Sequence, residues 1–182
     1  MFILASSSPR RKQLLKKLVD EFEIVVPDID ERVLDPFLSP KDLAYEEARE
    51  KAYSVASRYP NDEILSCDTI VVLEGEVLGK PNDEEDAVRM LLKEQGKRQL
   101  VISAYTYLAP GKEISRSVTT YVYFRPLSEE EIRAYVKKRR PLDKAGAYGI
   151  QDEEGLIERI EGSYDNVMGL PTEDIALHVF KR

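Results

Sequence analysis

Cysteine and histidine each occur once in the 182 residues, as Cys67 and His178. One cysteine excludes an internal disulfide and a cysteine-rich zinc site. His178 sits among Ala176, Leu177 and Val179 with no nucleophile nearby, so it reads as a packing or surface residue and no histidine–serine triad can be built on it. No run is long and apolar enough for a membrane helix. The start of the chain lacks a basic segment followed by an apolar one, so no secretory signal is expected and the expected location is cytoplasmic. Positive charge is in deficit: 27 Lys and Arg against 34 Asp and Glu leave a net charge of -7. That balance argues against general binding to nucleic acid or to anionic membranes. Repeats of 20–50 residues, low-complexity tracts and clear linkers are missing too. One domain over residues 1–182 is therefore expected, able to fold as two lobes around a cleft. What remains is an ordinary soluble globular composition, 42% apolar and 34% charged. Any phosphate site in this acidic chain must be a local cluster of cations.

The stretch Leu4-Ala5-Ser6-Ser7-Ser8-Pro9-Arg10-Arg11 has that character. Phe2-Ile3-Leu4 reads as a strand, and Lys12 to Val19 as a helix that the serines can cap, with Pro9 at its first position. Arg10, Arg11 and Lys12 place three positive charges beside the positive end of the helix dipole, a penalty that a bound anion would reverse. Free backbone N–H groups, hydroxyls and two guanidinium forks together suit a phosphate. At about 100° per residue, Arg11 falls within the arc of Leu14, Leu15 and Leu18 and should point along the packed side. A capped helix with solvated arginines fits the same residues equally well.

Glu23 to Val26 reads as a strand parallel to the first, a βαβ opening. An acidic loop follows, with Asp28, Asp30, Glu31 and Asp35; it reads as a solvated turn or as a place for a divalent cation. Ser39-Pro40 starts a second helix running to about Arg58. On it, Lys51 shares a narrow arc with Ala44, Ala48 and Val55, so its ammonium group needs a destination such as an anion across a groove. Ile64 to Leu73 is the central strand. Asp68 interrupts it and must find partners or sit at an opening, because an unpaired buried carboxylate is costly. Cys67 falls on the opposite face.

Glu74-Gly75 turns a hairpin into Glu76-Val77-Leu78, and Gly79-Lys80-Pro81 leaves Lys80 one short hairpin from Asp68. Asn82-Asp83 caps a third helix, Glu84 to Gln95, whose core face includes Ala87, Met90, Leu91 and Glu94. Gln99 to Leu108 and Glu113 to Phe124 read as a hairpin about Pro110-Gly111. Ser128 to Glu131 is a capping box for a fourth helix. Pro141 to Gln151 reads as holding a short extended segment, Leu156 to Ile160 as a strand, Gly162 to Pro171 as a loop, and Thr172 as the cap of the last helix.

Four segments together resemble the Maf family: Leu4 to Arg11; Asp68-Thr69 with Gly79-Lys80-Pro81; Asp143-Lys144-Ala145-Gly146-Ala147-Tyr148-Gly149-Ile150-Gln151; and Gly162-Ser163-Tyr164 with Asn166-Val167 and Gly169-Leu170-Pro171. They stand in the family's order and span nearly the whole chain. The resemblance implies an α/β fold of the inosine triphosphate pyrophosphatase (Maf/Ham1) kind: a mixed twisted sheet flanked by helices, elongated, with a central cleft. It implies a nucleoside triphosphate pyrophosphatase that depends on a divalent metal, Mg²⁺ or Mn²⁺. Asp68 matches the family's proton acceptor. Ser6, Ser8, Arg10, Lys51 and Lys80 match its phosphate-handling positions. Arg11, Thr69 and Gln151 match those of the subgroup acting on dTTP and UTP. Glu31 matches an acidic position that shares the metal with Asp68. Ser66-Cys67 departs from the small residues common before the aspartate and adds bulk behind the site. The family's original name also implies an alternative, a non-catalytic nucleotide-binding regulator of cell division and septum formation. The expected partner is a small nucleoside triphosphate; a monomer and a homodimer fit the sequence equally well.

Overall fold

The computed structural model describes residues 1–29, 35, 37–152 and 154–182. Glu31, the expected metal-sharing acid, therefore lies outside the described residues. The chain runs β1 (Phe2–Leu4), α1 (Pro9–Leu15), β2 (Glu23–Ile24), α2 (Pro40–Ala56), β3 (Glu63–Leu73), β4 (Glu76–Leu78) and α3 (Glu84–Glu94). It continues with β5 (Arg98–Ala109), β6 (Lys112–Phe124), α4 (Glu129–Arg139), a 3-10 turn (Ala145–Ala147), β7 (Ile157–Glu161), α5 (Tyr164–Met168) and α6 (Thr172–His178). The strands form one mixed sheet in the order β2-β1-β3-β5-β6-β7, with β4 pairing β3. β1 runs parallel to β2 and to β3, as the βαβ opening requires, while β4 and β7 pair antiparallel with β3 and β6. Among the described residues no helix is long and apolar enough to cross a membrane.

The chain divides into two compact units. The first comprises residues 1–69, 102–118 and 165–182; the second, 70–101 and 119–164. In the first, period-two alternation along the strands builds two cores. Phe2, Leu4, Leu65, Cys67, Tyr105 and Tyr107 meet Leu14 and Leu15 of α1 and Ile175 of α6. Ile3, Ala5, Ile64 and Leu108 meet Ala52 and Val55 of α2. In the second unit α3 buries Ala87, Val88 and Leu91, and α4 buries Ile132, Tyr135 and Val136. Of the tyrosines on the long hairpin, Tyr105 and Tyr107 are core, whereas Tyr121 and Tyr123 lie beneath the guanidinium groups of Arg98 and Arg159.

Local signals fix most helix starts. Ser8, Ser39, Asp83 and Ser128 each accept the backbone N–H three residues on, and Ser128 with Glu131 completes the capping box. Three expectations are corrected. Residues 141–151 are not extended throughout: Lys144 and Tyr148 are, but the 3-10 turn at Ala145–Ala147, with Gly146 at φ 73°, breaks the run between them. The loop 162–171 contains α5. Thr172 does not cap α6: Pro171 is the N-cap, and the Thr172 hydroxyl donates to the carboxylate of Asp165 instead.

Candidate active site

The first unit holds four of the expected residues as two pairs, Asp68 with Lys51 and Thr69 with Arg11. Asp68 and Thr69 are neighbours on β3, so their side chains leave opposite faces of the sheet. Asp68 leaves on the α2 side. There Lys51 of α2 places Nζ 3.3 Å from Asp68 Oδ1 and 3.3 Å from the carbonyl oxygen of Cys67. The side chains of this pair are only 18% and 12% exposed. An ion pair so buried returns little net stability, because desolvation offsets most of the attraction. Burial pushes the Lys51 ammonium below the usual lysine range, the charge of Arg11 pushes it the same way, and Asp68 opposes both. Added negative charge beside Lys51 would favour its charged form.

Thr69 leaves on the α1 side and meets Arg11. The Arg11 Nε donates to the Gly169 carbonyl at 2.7 Å, and Nη2 donates to Thr69 Oγ1 at 3.0 Å. Thr69 Oγ1 in turn lies 2.7 Å from the Ser103 hydroxyl, which donates to the Asn166 carbonyl at 3.3 Å. Arg11 therefore points along the packed side, held at two nitrogens. Ser6 and Ser8 use their oxygens locally. Ser6 Oγ accepts the Ser8 N–H at 3.0 Å, and Ser8 Oγ accepts the Arg11 N–H at 3.2 Å. Each hydroxyl keeps its hydrogen to donate. Arg10 is half-buried on α1. The bulk at Ser66-Cys67 is absorbed without intruding: Ser66 Oγ donates to the Ala48 carbonyl at 2.5 Å, and the Cys67 thiol is buried and its pKa raised by that burial.

Lys80 and Gln151 belong to the second unit. Lys80 is exposed, directly after Gly79, whose carbonyl accepts the Gly146 N–H at 3.2 Å. Gln151 is exposed in the turn that follows the 3-10 element. Beside it, Tyr135 Oη accepts the Gly149 N–H at 3.0 Å and donates to Asp152 at 2.6 Å.

Ser103 and the carbonyl of Gly169 went unread in the sequence. The signal for Ser103 was a polar residue interrupting the apolar run Leu100 to Ala104. A backbone acceptor such as Gly169 carries no side-chain signal at all. For a metal, no group of three or more His, Cys, Asp or Glu side chains gathers among the described residues. Asp68 can give one carboxylate. That donor set suits Mg²⁺, which takes one or two carboxylates and completes its shell with phosphate oxygens and water.

Three comparisons bear on this arrangement. The family described as Maf-like protein matches residues 1–179. The dTTP/UTP pyrophosphatase of Pyrococcus abyssi is 48% identical over 172 residues, covering 94% of this chain and 90% of that protein. The dTTP/UTP pyrophosphatase of Carboxydothermus hydrogenoformans is 46% identical over 171 residues, covering 92% and 91%. Among solved structures, the Ham1 protein of Staphylococcus aureus superposes with a TM-score of 0.50 at 18% identity, covering 86% of this chain and 90% of that one, which shows a shared fold.

Proposed function

The chain belongs to the Maf family, and on that premise we propose that it is a nucleoside triphosphate pyrophosphatase that hydrolyses dTTP and UTP. The reading rests on one observation: the Asp68 carboxylate is held at 3.3 Å from a buried lysine beside an arginine, where burial and that arginine disfavour the lysine's charged form and added negative charge would favour it. A triphosphate supplies that charge, and the carboxylate is then available for chemistry. A nucleotide sensor would need the cations and gain nothing from the acid beside them.

In the proposed reaction Asp68 accepts a proton from a water that attacks the α-phosphorus. The new bond is water oxygen to phosphorus; the bond broken joins that phosphorus to the α–β bridging oxygen. Pyrophosphate and the nucleoside monophosphate leave. Arg10, Arg11, Lys51 and Lys80 offset the charge that develops on the departing pyrophosphate, and Ser6 and Ser8 donate to phosphate oxygens. Asp68 and Glu31 would hold a divalent cation, which supplies charge neutralisation and a more acidic water. Removing divalent ions with EDTA is expected to abolish turnover, and added Mg²⁺ or Mn²⁺ to restore it; full activity in excess EDTA would remove the metal from this scheme.

Uracil and thymine present carbonyl acceptors beside an N3–H donor. The Gln151 amide can satisfy one of each. A site built for that pattern rejects bases that leave its groups unpaired. Each common nucleoside triphosphate should be incubated with Mg²⁺ and scored for pyrophosphate against orthophosphate. dTTP and UTP are expected to yield pyrophosphate at least about tenfold faster than ATP or GTP. Orthophosphate alone would indicate another class of phosphatase, and equal turnover of ATP would remove the base preference.

A further inference from the structure

We infer that Glu94, the last residue of α3, is a positioning residue that holds the Lys80 loop and the Gln151 segment in register through the turn at Gly146. This rests on reading Lys80 and Gln151 as substrate-binding groups. Glu94 is fully buried, and neither carboxyl oxygen has a hydrogen-bond partner among the described residues. Burial raises its pKa well above the usual carboxylate range. Tyr148 is in the same condition: its hydroxyl is buried without a partner among the described residues, and its pKa is raised first by burial and then by the charge that Glu94 would carry. Two buried polar groups without partners cost stability and give none back. Where a sequence keeps such groups against local advantage, function is the place to look.

What Glu94 touches is the turn. A side chain on Gly146 would set its Cβ 2.9 Å from Glu94 Oε1, 3.3 Å from the Tyr148 ring and 3.3 Å from Val71 Cγ1. Gly146 also has φ 73°, a backbone shape that other residues resist. The flat carboxyl group therefore lies directly against the turn's backbone. The same Gly146 donates its N–H to the Gly79 carbonyl, next to Lys80. Onward from the turn, the Tyr148 ring packs edge-on against Phe124 at 4.8 Å, and Gly149 is tied to Tyr135. Gln151 follows two residues later. One buried side chain thus backs a turn from which both substrate-binding segments hang.

The test compares Glu94→Gln, Glu94→Ala and, as a control, Val88→Ala, which removes a buried side chain elsewhere on α3. Amide exchange at Gly146 and steady-state kinetics with dTTP are read on each. Glu94→Gln keeps the flat shape and is expected to match the wild type in both. Glu94→Ala is expected to speed Gly146 exchange about tenfold and raise KM about tenfold, with kcat changed less than about threefold. Val88→Ala is expected to lower Tm but leave Gly146 exchange and KM unchanged. Unaltered exchange or unaltered KM in Glu94→Ala overturns the inference, as does a KM increase of the same size in Val88→Ala. A wild-type chain that turns over no nucleoside triphosphate fails earlier: it sinks the reading of the site, and the inference with it, before any variant is made.

Discussion

Asp68→Asn is expected to lower pyrophosphate release from dTTP and UTP by about a thousandfold, within the range that loss of a general base costs. The asparagine is nearly isosteric. Its amide oxygen can still accept from Lys51, so the charge is lost while the contact at 3.3 Å can persist. A buried ion pair broken by removing one partner altogether would cost the fold several kcal/mol, which is why Asn and not Ala is the right substitution. The variant should therefore melt close to the wild type and still bind nucleotide. Pyrophosphate release by Asp68→Asn at the wild-type rate, with the thermal transition unchanged, would remove this residue from the chemistry.

Lys51 carries the second large effect. Its ammonium group contacts Asp68 and the Cys67 carbonyl, and a triphosphate would give it further anionic partners. Hydrogen bonds to charged groups contribute roughly 1.5–3 kcal/mol, so Lys51→Met should raise KM by about ten- to a hundredfold at neutral pH. The pH dependence follows from the lowered pKa. Between that lowered value and the ordinary 10.5, the folded chain holds the proton less tightly than the unfolded chain. Folding stability from this group therefore rises with pH across the window, while affinity for an anion falls as the charge is lost. Wild-type kcat/KM should decline on the alkaline side below pH 10.5 with the fold intact by circular dichroism. Lys51→Arg keeps its charge and should carry activity to higher pH. An identical alkaline decline in wild type and Lys51→Arg would assign that limb to another group.

The placement of Arg11 shows how far local pattern reaches. Its position in the arc of Leu14, Leu15 and Leu18 implied a packed-side direction, and it does lie along that side. Its acceptors could not be read, because Gly169 is 158 residues away and contributes only backbone. Thr172 shows the opposite failure. A threonine at a helix start is a good cap by local rules, but a buried carboxylate at Asp165, already held by Lys17, takes its hydroxyl. The turn at 145–147 was hidden because glycine and alanine carry no periodic signal, and Glu94, which lies against Gly146, comes from α3, far earlier in the chain.

The residues by themselves determined what needs only neighbours: the caps, the strand alternation, and an acidic chain with a few cations at widely separated motifs. Those features are set by dihedral preference and by the period of apolar side chains, both short-range. The tertiary structure alone decided which partners adjacent residues of β3 meet. Asp68 goes to Lys51 on one helix and Thr69 to Arg11 on another, because a pleated strand sends successive side chains to opposite faces and each face is covered by a different helix. Which helix covers which face is fixed by long-range burial, and no local pattern encodes it.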